Sequence, residues 1–246
     1  MELKILGSSS AGNCYVFDNG KEALVLECGI SFNKVKETVN FDISRIVGAL
    51  VSHEHGDHAK EVQKFIDARI PVYVSNGTAE SLSLEDNRLV CKMGECGVYH
   101  VGNFKVYPFS TQHDAAEPFG FLIFHKEMGT VLFATDTYYL AYTFNGLNNI
   151  LIECNYRLDI LDANIAAGRI PEKLRYRTIK SHCSFDTCKE TLLANDLSLV
   201  NNIVLIHLSD GNSNAKEFQQ GIHEATGKTV HIAEKGMTLN FNKTPF

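Results

Sequence analysis

The sequence predicts an α/β protein in which mixed β-sheets carry helices on their outer sides. Three observations predict it. The first third of the chain is a run of short apolar segments joined by turns. The last third alternates strand-like and helix-like segments, the pattern of βα units. No internal repeat and no low-complexity linker divides the chain, so one domain is expected over residues 1–246. That length is enough to bury a full hydrophobic core.

Residues 3–6, 14–18 and 23–27 read as strands. Asn19-Gly20 between the last two is a hairpin signal, because both residues tolerate positive φ. A polar helix is expected near 32–39, an apolar strand over 46–52, a helix ending around Ala68, and a strand over 71–74. The middle returns to strands at 97–100, 104–109, 120–125, 131–134 and 150–153. Helices are expected over 184–195 and 215–226, the second capped by Ser213 or Asn214 and stopped by Gly227. A buried strand at 203–207 lies between them, and strands at 230–233 and 237–241 close the chain. The segment 156–176, with Gly168 and Pro171, reads as a long loop.

Composition narrows the function. Hydrophobic residues make up 44% and charged residues 21%, the profile of an ordinary globular protein. No apolar run approaches the ~18–20 residues that cross a bilayer. Met1-Glu2-Leu3-Lys4-Ile5 enters a strand without signal-peptide architecture, so a cytoplasmic protein is expected, in the host cytoplasm if the gene is viral. Seven cysteines form no even framework and are read as reduced thiols, buried or half-buried. The spacings Cys91/Cys96 and Cys183/Cys188 are too loose for a zinc knuckle. A net charge of −6 argues against a protein that tracks a long duplex. The one basic cluster, Lys173-Leu174-Arg175-Tyr176-Arg177 with Arg169 and Lys180 beside it, could neutralise a few phosphates.

The chemistry concentrates in His53-Glu54-His55-Gly56-Asp57-His58, directly after the apolar run 46–52. Alternate residues His53, His55 and Asp57 can point to one side of an extended chain. His58 opens a helical stretch and approaches from another direction. Two ligand sets meeting at one point suggest two metals. His113, Asp136 and His207 each stand where an apolar strand gives way to a polar loop, as His53 does. A lone histidine there is more often hydrogen-bonded than a ligand, but the 53–58 motif demands further ligands. His100, His125, His223 and His231 lack that context and are read as background. Imidazole and carboxylate donors suit two Zn²⁺, with Mn²⁺ as second choice. Such a pair can lower the pKa of a shared hydroxide and clamp the group under attack.

The order of these residues resembles the metallo-β-lactamase superfamily over nearly the whole chain. Gly7-Ser8-Ser9-Ser10-Ala11-Gly12-Asn13, together with His113-Asp114-Ala115-Ala116-Glu117-Pro118 and His207-Leu208-Ser209, is similar to its YycJ-type branch. The resemblance implies an αββα sandwich with a binuclear site at one edge, and a homodimer in which a loop of one subunit, here the segment 156–176, reaches the other's site. It implies that His53, His55 and His113 hold one metal, that Asp57, His58 and His207 hold the other, and that Asp136 bridges them. The superfamily usually has Asp where this chain has Glu27, a carboxylate that orients a ligand.

Lys180-Ser181-His182-Cys183-Ser184 resembles the His-Ser-Thr-like motif of the RNase Z branch, whose histidine protonates a leaving group. An alkoxide leaving a phosphodiester needs a proton near neutral pH, which a histidine held by a carboxylate can supply. His182 is the expected donor and Glu153 its expected support, with Asp57 counted beside them among the catalytic residues. Ser184 and Tyr138 are expected at the substrate, and Tyr139, Phe119 and Phe121 could also stack on a base. The RNase Z branch grips transfer RNA with a protruding arm that this chain lacks. With the acidic body, this points to a small cyclic mononucleotide as substrate, similar to the compact phage anti-Pycsar phosphodiesterases. A YycJ-like or RNase Z-like nuclease is the alternative. A thioesterase or lactonase would leave His182 without a task, and a non-catalytic binding module would not need a complete ligand set.

Overall fold

A computed structural model describes residues 1–244. Its first half runs β1 (Glu2–Ser9), β2 (Gly12–Asp18), β3 (Ala23–Leu26), α1 (Phe32–Thr38), β4 (Ile46–Leu50), α2 (Gly56–Ala59), α3 (Val62–Asp67), β5 (Val72–Ser75), α4 (Asn76–Ser81) and β6 (Val90–Met93). The second runs β7 (Tyr99–Val101), β8 (Phe104–Ser110), β9 (Phe119–His125), β10 (Gly129–Ala134), β11 (Leu147–Glu153), α5 (Leu158–Ala166), α6 (Glu172–Ser181), α7 (Phe185–Leu193), β12 (Asn202–Ile206), α8 (Ala215–Thr226), β13 (Thr229–Ile232) and β14 (Thr238–Asn240). The strands form two seven-stranded sheets, ordered β14-β1-β2-β3-β4-β5-β6 and β13-β12-β11-β10-β9-β8-β7. Both are mixed, antiparallel where hairpins join neighbours and parallel where helices cross over.

Strand alternation builds the layers. Tyr15 and Phe17 of β2 join Phe104, Phe121, Phe133 and Phe241 in the core shared by the two sheets. Cys14 and Val16 of the same strand join Val35 of α1 and Phe65 of α3 in a second core outside the first sheet. A third core sets Leu192 of α7 and Phe218 and Ile222 of α8 against Leu132, Ile150 and Leu205. Each large apolar side chain buried this way contributes about 1.5–3 kcal/mol. Two mixed sheets flanked by helices are the expected architecture.

Most expected elements are present within a few residues of their bounds. Asn214 is the cap of α8, its side chain accepting the Glu217 N–H, and Gly227 ends the helix at φ 67°. Some expectations are corrected. The segment 156–176 is not a loop but mostly the helices α5, whose Leu161 is buried, and α6, with Gly168 at φ 68° between them. Strand β6 and helix α4 are too short and polar to register as periodic segments; α4 is held by Ser75, whose hydroxyl accepts the Thr78 N–H. The helix expected to continue to Ala68 breaks after Ala59, because the Glu61 N–H donates to the Cys28 carbonyl. All seven cysteines are free, but Cys96 is exposed. Among the described residues no helix is long and apolar enough to cross a membrane.

Parallel pairing brings the C-terminal ends of β3, β4, β10, β11 and β12 to common rims, and β8, antiparallel to β9 as β9 is to β10, ends on the same side. Glu27, His53, His113, Asp136, Glu153 and His207 all follow or finish these strands.

Candidate active site

Three imidazoles converge first. His53 Nε2 lies 3.1 Å from His55 Nδ1, which lies 3.1 Å from His113 Nε2. The Ser181 carbonyl, 2.8 Å away, can only accept, so His113 Nδ1 donates to it and the Nε2 lone pair faces the cluster. A second group gathers beside it. Asp57 Oδ2 lies 3.3 Å from His207 Nε2 and 3.4 Å from His58 Nε2. Asp136 stands between the groups, its Oδ2 at 3.4 Å from His58 Nε2, 3.5 Å from His113 Nε2 and 3.8 Å from His53 Nε2.

The backbone is strained where the cluster is built. Glu27, Asp136 and His207 have φ of 65°, 44° and 54°, a region that costs a non-glycine residue of order 1 kcal/mol or more. Each turns the chain sharply at a strand end and returns its side chain over the rim. The His53–His58 turn is tied to the first sheet, with Cys28 N–H donating to the His58 carbonyl. Gly29 permits that contact: a Cβ there would lie 1.7 Å from the Asp57 carbonyl oxygen.

Electrostatics follow from packing. Burial alone would raise the Asp136 carboxyl, but His207 and His58 hold it well below the usual carboxylate range. Burial opposes charge on His58, and Asp136 and Glu27 reverse that, raising it well above an ordinary imidazole. His53 is driven well below it, first by burial and then by the neighbouring imidazoles.

The donor set fits divalent cations. Three ring nitrogens facing one another cannot all be satisfied by ring protons, whereas a cation between them accepts every lone pair. His53, His55 and His113 place ligand atoms within 4.8 Å of one another, as do Asp57, His58, Asp136 and His207. His58 Nδ1, fully buried, has no hydrogen-bond partner, although Glu27 Oε2 lies 3.3 Å away. Glu27 also accepts the Ser52 N–H at 3.2 Å, so it stands behind His58 as an orienting carboxylate would.

His182 caps the C-terminus of α6 and stacks on His207 with centroids 5.4 Å apart. Its Nδ1 donates to Glu153 Oε1 at 2.7 Å. Glu153 is fully buried, and its Oε2 accepts the N–H groups of Thr137 and Cys183, each at 3.0 Å. Burial works against a charged His182 ring, and Glu153 overrides it, so the imidazole is raised above its ordinary range.

Other expected residues separate here. The Ser184 hydroxyl is engaged as the N-cap of α7, accepting the Thr187 N–H at 3.1 Å, and is assigned to capping. Tyr138 is half-buried near the site, with Lys180 Nζ 5.9 Å from its ring centroid. Phe119 and Phe121 are buried between the sheets and offer no face to a ligand. His125 is buried away from the cluster, 3.3 Å from Glu22. Sequence reading passed over Ser181 and Asn155, which hold His113 and His207 from behind, and Asn13, which lies 3.1 Å from the cluster-facing Nε2 of His58. Asn13 and Ser181 lie inside segments singled out for other reasons, while Asn155 carries no local signal.

Fold and ligand geometry are similar to those of the metallo-beta-lactamase superfamily, whose family model matches residues 9–88. The chain is 27% identical over 196 residues to the exodeoxyribonuclease YycJ of Bacillus anthracis, covering 73% of this chain and 70% of that protein. It is 26% identical to the exodeoxyribonuclease WalJ of Streptococcus pneumoniae, over 98% of this chain and 92% of that one. The metallo-beta-lactamase fold protein YhfI from Bacillus subtilis superposes with a TM-score of 0.74 at 15% identity, over 97% of this chain and 99% of YhfI.

Proposed function

We propose that this protein is a metal-dependent phosphodiesterase acting on nucleic acid, with a DNA strand the substrate to test first. The observation that carries the reading is the His182–Glu153 pair, 2.7 Å apart beside the ligand cluster. Hydrolysis of an activated acyl bond has little need of such a donor; loss of a sugar alkoxide from phosphorus does. The similarity to exodeoxyribonucleases along almost the whole chain supports nucleic acid over other diesters.

Metal ions held by His53, His55, His113, Asp136, Asp57, His58 and His207 would supply an activated water and neutralise phosphate charge. The chain's own residues do the rest. Glu153 holds His182 with Nδ1 protonated, which leaves Nε2 as the position that carries the transferable proton. Glu153 itself is fixed by two backbone N–H groups, so the ring is aimed before substrate arrives. Glu27 and Ser181 orient His58 and His113. A cleft of about 440 Å³ opens from His182 and His207 between α6 and the 208–212 loop, room for a nucleotide and its neighbour.

A second reading, cleavage of cyclic mononucleotides, is favoured by the net charge of −6, which suits a small ligand better than a polyanion. Linear DNA, RNA, cyclic mononucleotides and bis-p-nitrophenyl phosphate assayed side by side with Zn²⁺ or Mn²⁺ separate the two. Cleavage of cyclic nucleotides with linear strands left intact reverses the order, and no turnover of any diester removes the proposal.

A further inference from the structure

Helix α6 leaves a basic and aromatic face toward solvent. Lys173, Tyr176, Arg177 and Lys180 are exposed, Tyr176 by 71%. Lys180 Nζ lies 5.9 Å from the ring centroid of Tyr176 and 5.9 Å from that of Tyr138, so one ammonium stands between two phenol rings. Arg175 is already engaged with Asp162 at 2.7 Å and is left out. An exposed charged helix face is usually just solvated. Here the face ends in the active site. His182 is the residue that caps α6, and Ser181 before it accepts from His113 and donates to Asp114 at 2.9 Å. Tyr138 lies two residues beyond Asp136. Arg177, Leu174 and Thr178 line the cleft that opens from His182.

We infer that Tyr176, Lys180 and Tyr138 form a platform that holds single-stranded nucleic acid beside the reactive phosphate. A base stacks on the open Tyr176 ring while Lys180 takes a neighbouring phosphate, the combination that binds single strands without reading their sequence. A platform of one exposed ring and one or two cations suits a few nucleotides. It agrees with an acidic body, which would repel a longer polyanion. Duplex, with its bases already stacked, gains only the electrostatic part.

The inference rests on the phosphodiesterase reading, and the test separates the two. The 246-residue chain is assayed with Mn²⁺ on 12-mer oligo-dT, oligo-rU, a blunt duplex, cyclic mononucleotides and bis-p-nitrophenyl phosphate. For Tyr176→Leu, kcat/KM on a single strand should fall about five- to twentyfold, mainly through KM, and Tyr176→Phe should recover it. The loss should exceed any loss on bis-p-nitrophenyl phosphate, or on duplex, at least about fivefold. Lys180→Gln should flatten the salt dependence of single-strand binding by about 0.7 in log–log slope. The dT and rU strands tell which sugar is accepted, and selective loss on either supports the platform. If the wild type cleaves the oligonucleotides while both variants lose less than about twofold relative to bis-p-nitrophenyl phosphate, the platform is overturned and the phosphodiesterase reading stands. Equal loss on duplex, or cleavage of cyclic mononucleotides alone, also overturns it. Absence of turnover on every diester overturns the underlying reading instead.

Discussion

Glu153 Oε1 accepts the His182 Nδ1 proton at 2.7 Å, while its other oxygen accepts the Cys183 N–H next to that histidine. One carboxylate thus fixes both the ring and the backbone that carries it. The carboxylate comes from the end of β11 and the histidine from the end of α6, so the pair exists only because the βα crossover returns there.

This relationship sets a leaving-group prediction. His182→Ala should slow hydrolysis of oligonucleotides about 10²- to 10⁴-fold. Bis-p-nitrophenyl phosphate should be affected much less, because p-nitrophenolate leaves without a proton. Metal content by atomic emission should match the wild type. Equal loss on both substrates would mean that His182 does something other than protonate.

Asp136 faces both ligand groups and His55 only one. Asp136→Ala should therefore lower bound metal at both positions, and His55→Ala chiefly at one. Turnover should be abolished in each. Metal-to-protein ratios after dialysis against a weak chelator check the difference.

Gly29 is forced by the close approach of the Asp57 backbone. Gly29→Ala should cost about 2–3 kcal/mol through overpacking, a fall in Tm of about 5–10 °C for a chain of this size. Metal affinity should drop with it, since the displaced atoms belong to the His53–His58 turn. Calorimetry on the chelated and metal-loaded protein separates the two effects.

Asp18 gives a pH-dependent prediction far from the metals. Burial would raise its carboxyl, but Lys4 at 2.9 Å, the Gly20 N–H and Arg45 at 2.7 Å hold it below the usual carboxylate range. A folded pKa below the unfolded value adds stability that is complete above the unfolded pKa of about 3.9 and is lost as pH falls through the folded one. Asp18→Asn should cost about 2 kcal/mol at pH 7 and progressively less below pH ~4. Urea melts at several pH values test this; a difference that grows on acidification would contradict it.

The metal-ligand cluster was legible in the sequence because much of it is local. His53, His55, Asp57 and His58 lie in one turn after one buried strand, so their spacing already fixes their directions. His113, Asp136 and His207 could be attached to them because each ends an apolar run, and such ends collect at one rim. Helix α6 was not legible, since a polar helix that follows Gly168 and Pro171 has the composition of a loop, whereas α5, rich in Leu, Ile and Ala, carried a helical signal that the long-loop reading missed. Nor could the sequence decide among the aromatics. Phe119 and Phe121 turn inward because the register of β8, β9 and β10 puts them between the sheets, whereas Tyr176 faces water. The sequence alone determined which residues gather and which donor groups they bring, because strand ends and side-chain periods are local properties. Only the tertiary structure decided that Ser181 stands behind His113 and Asn155 behind His207, and that the expected carboxylates Glu27 and Glu153 reach His58 and His182. Those contacts join segments distant in the chain, and sheet order and crossover packing set their distances.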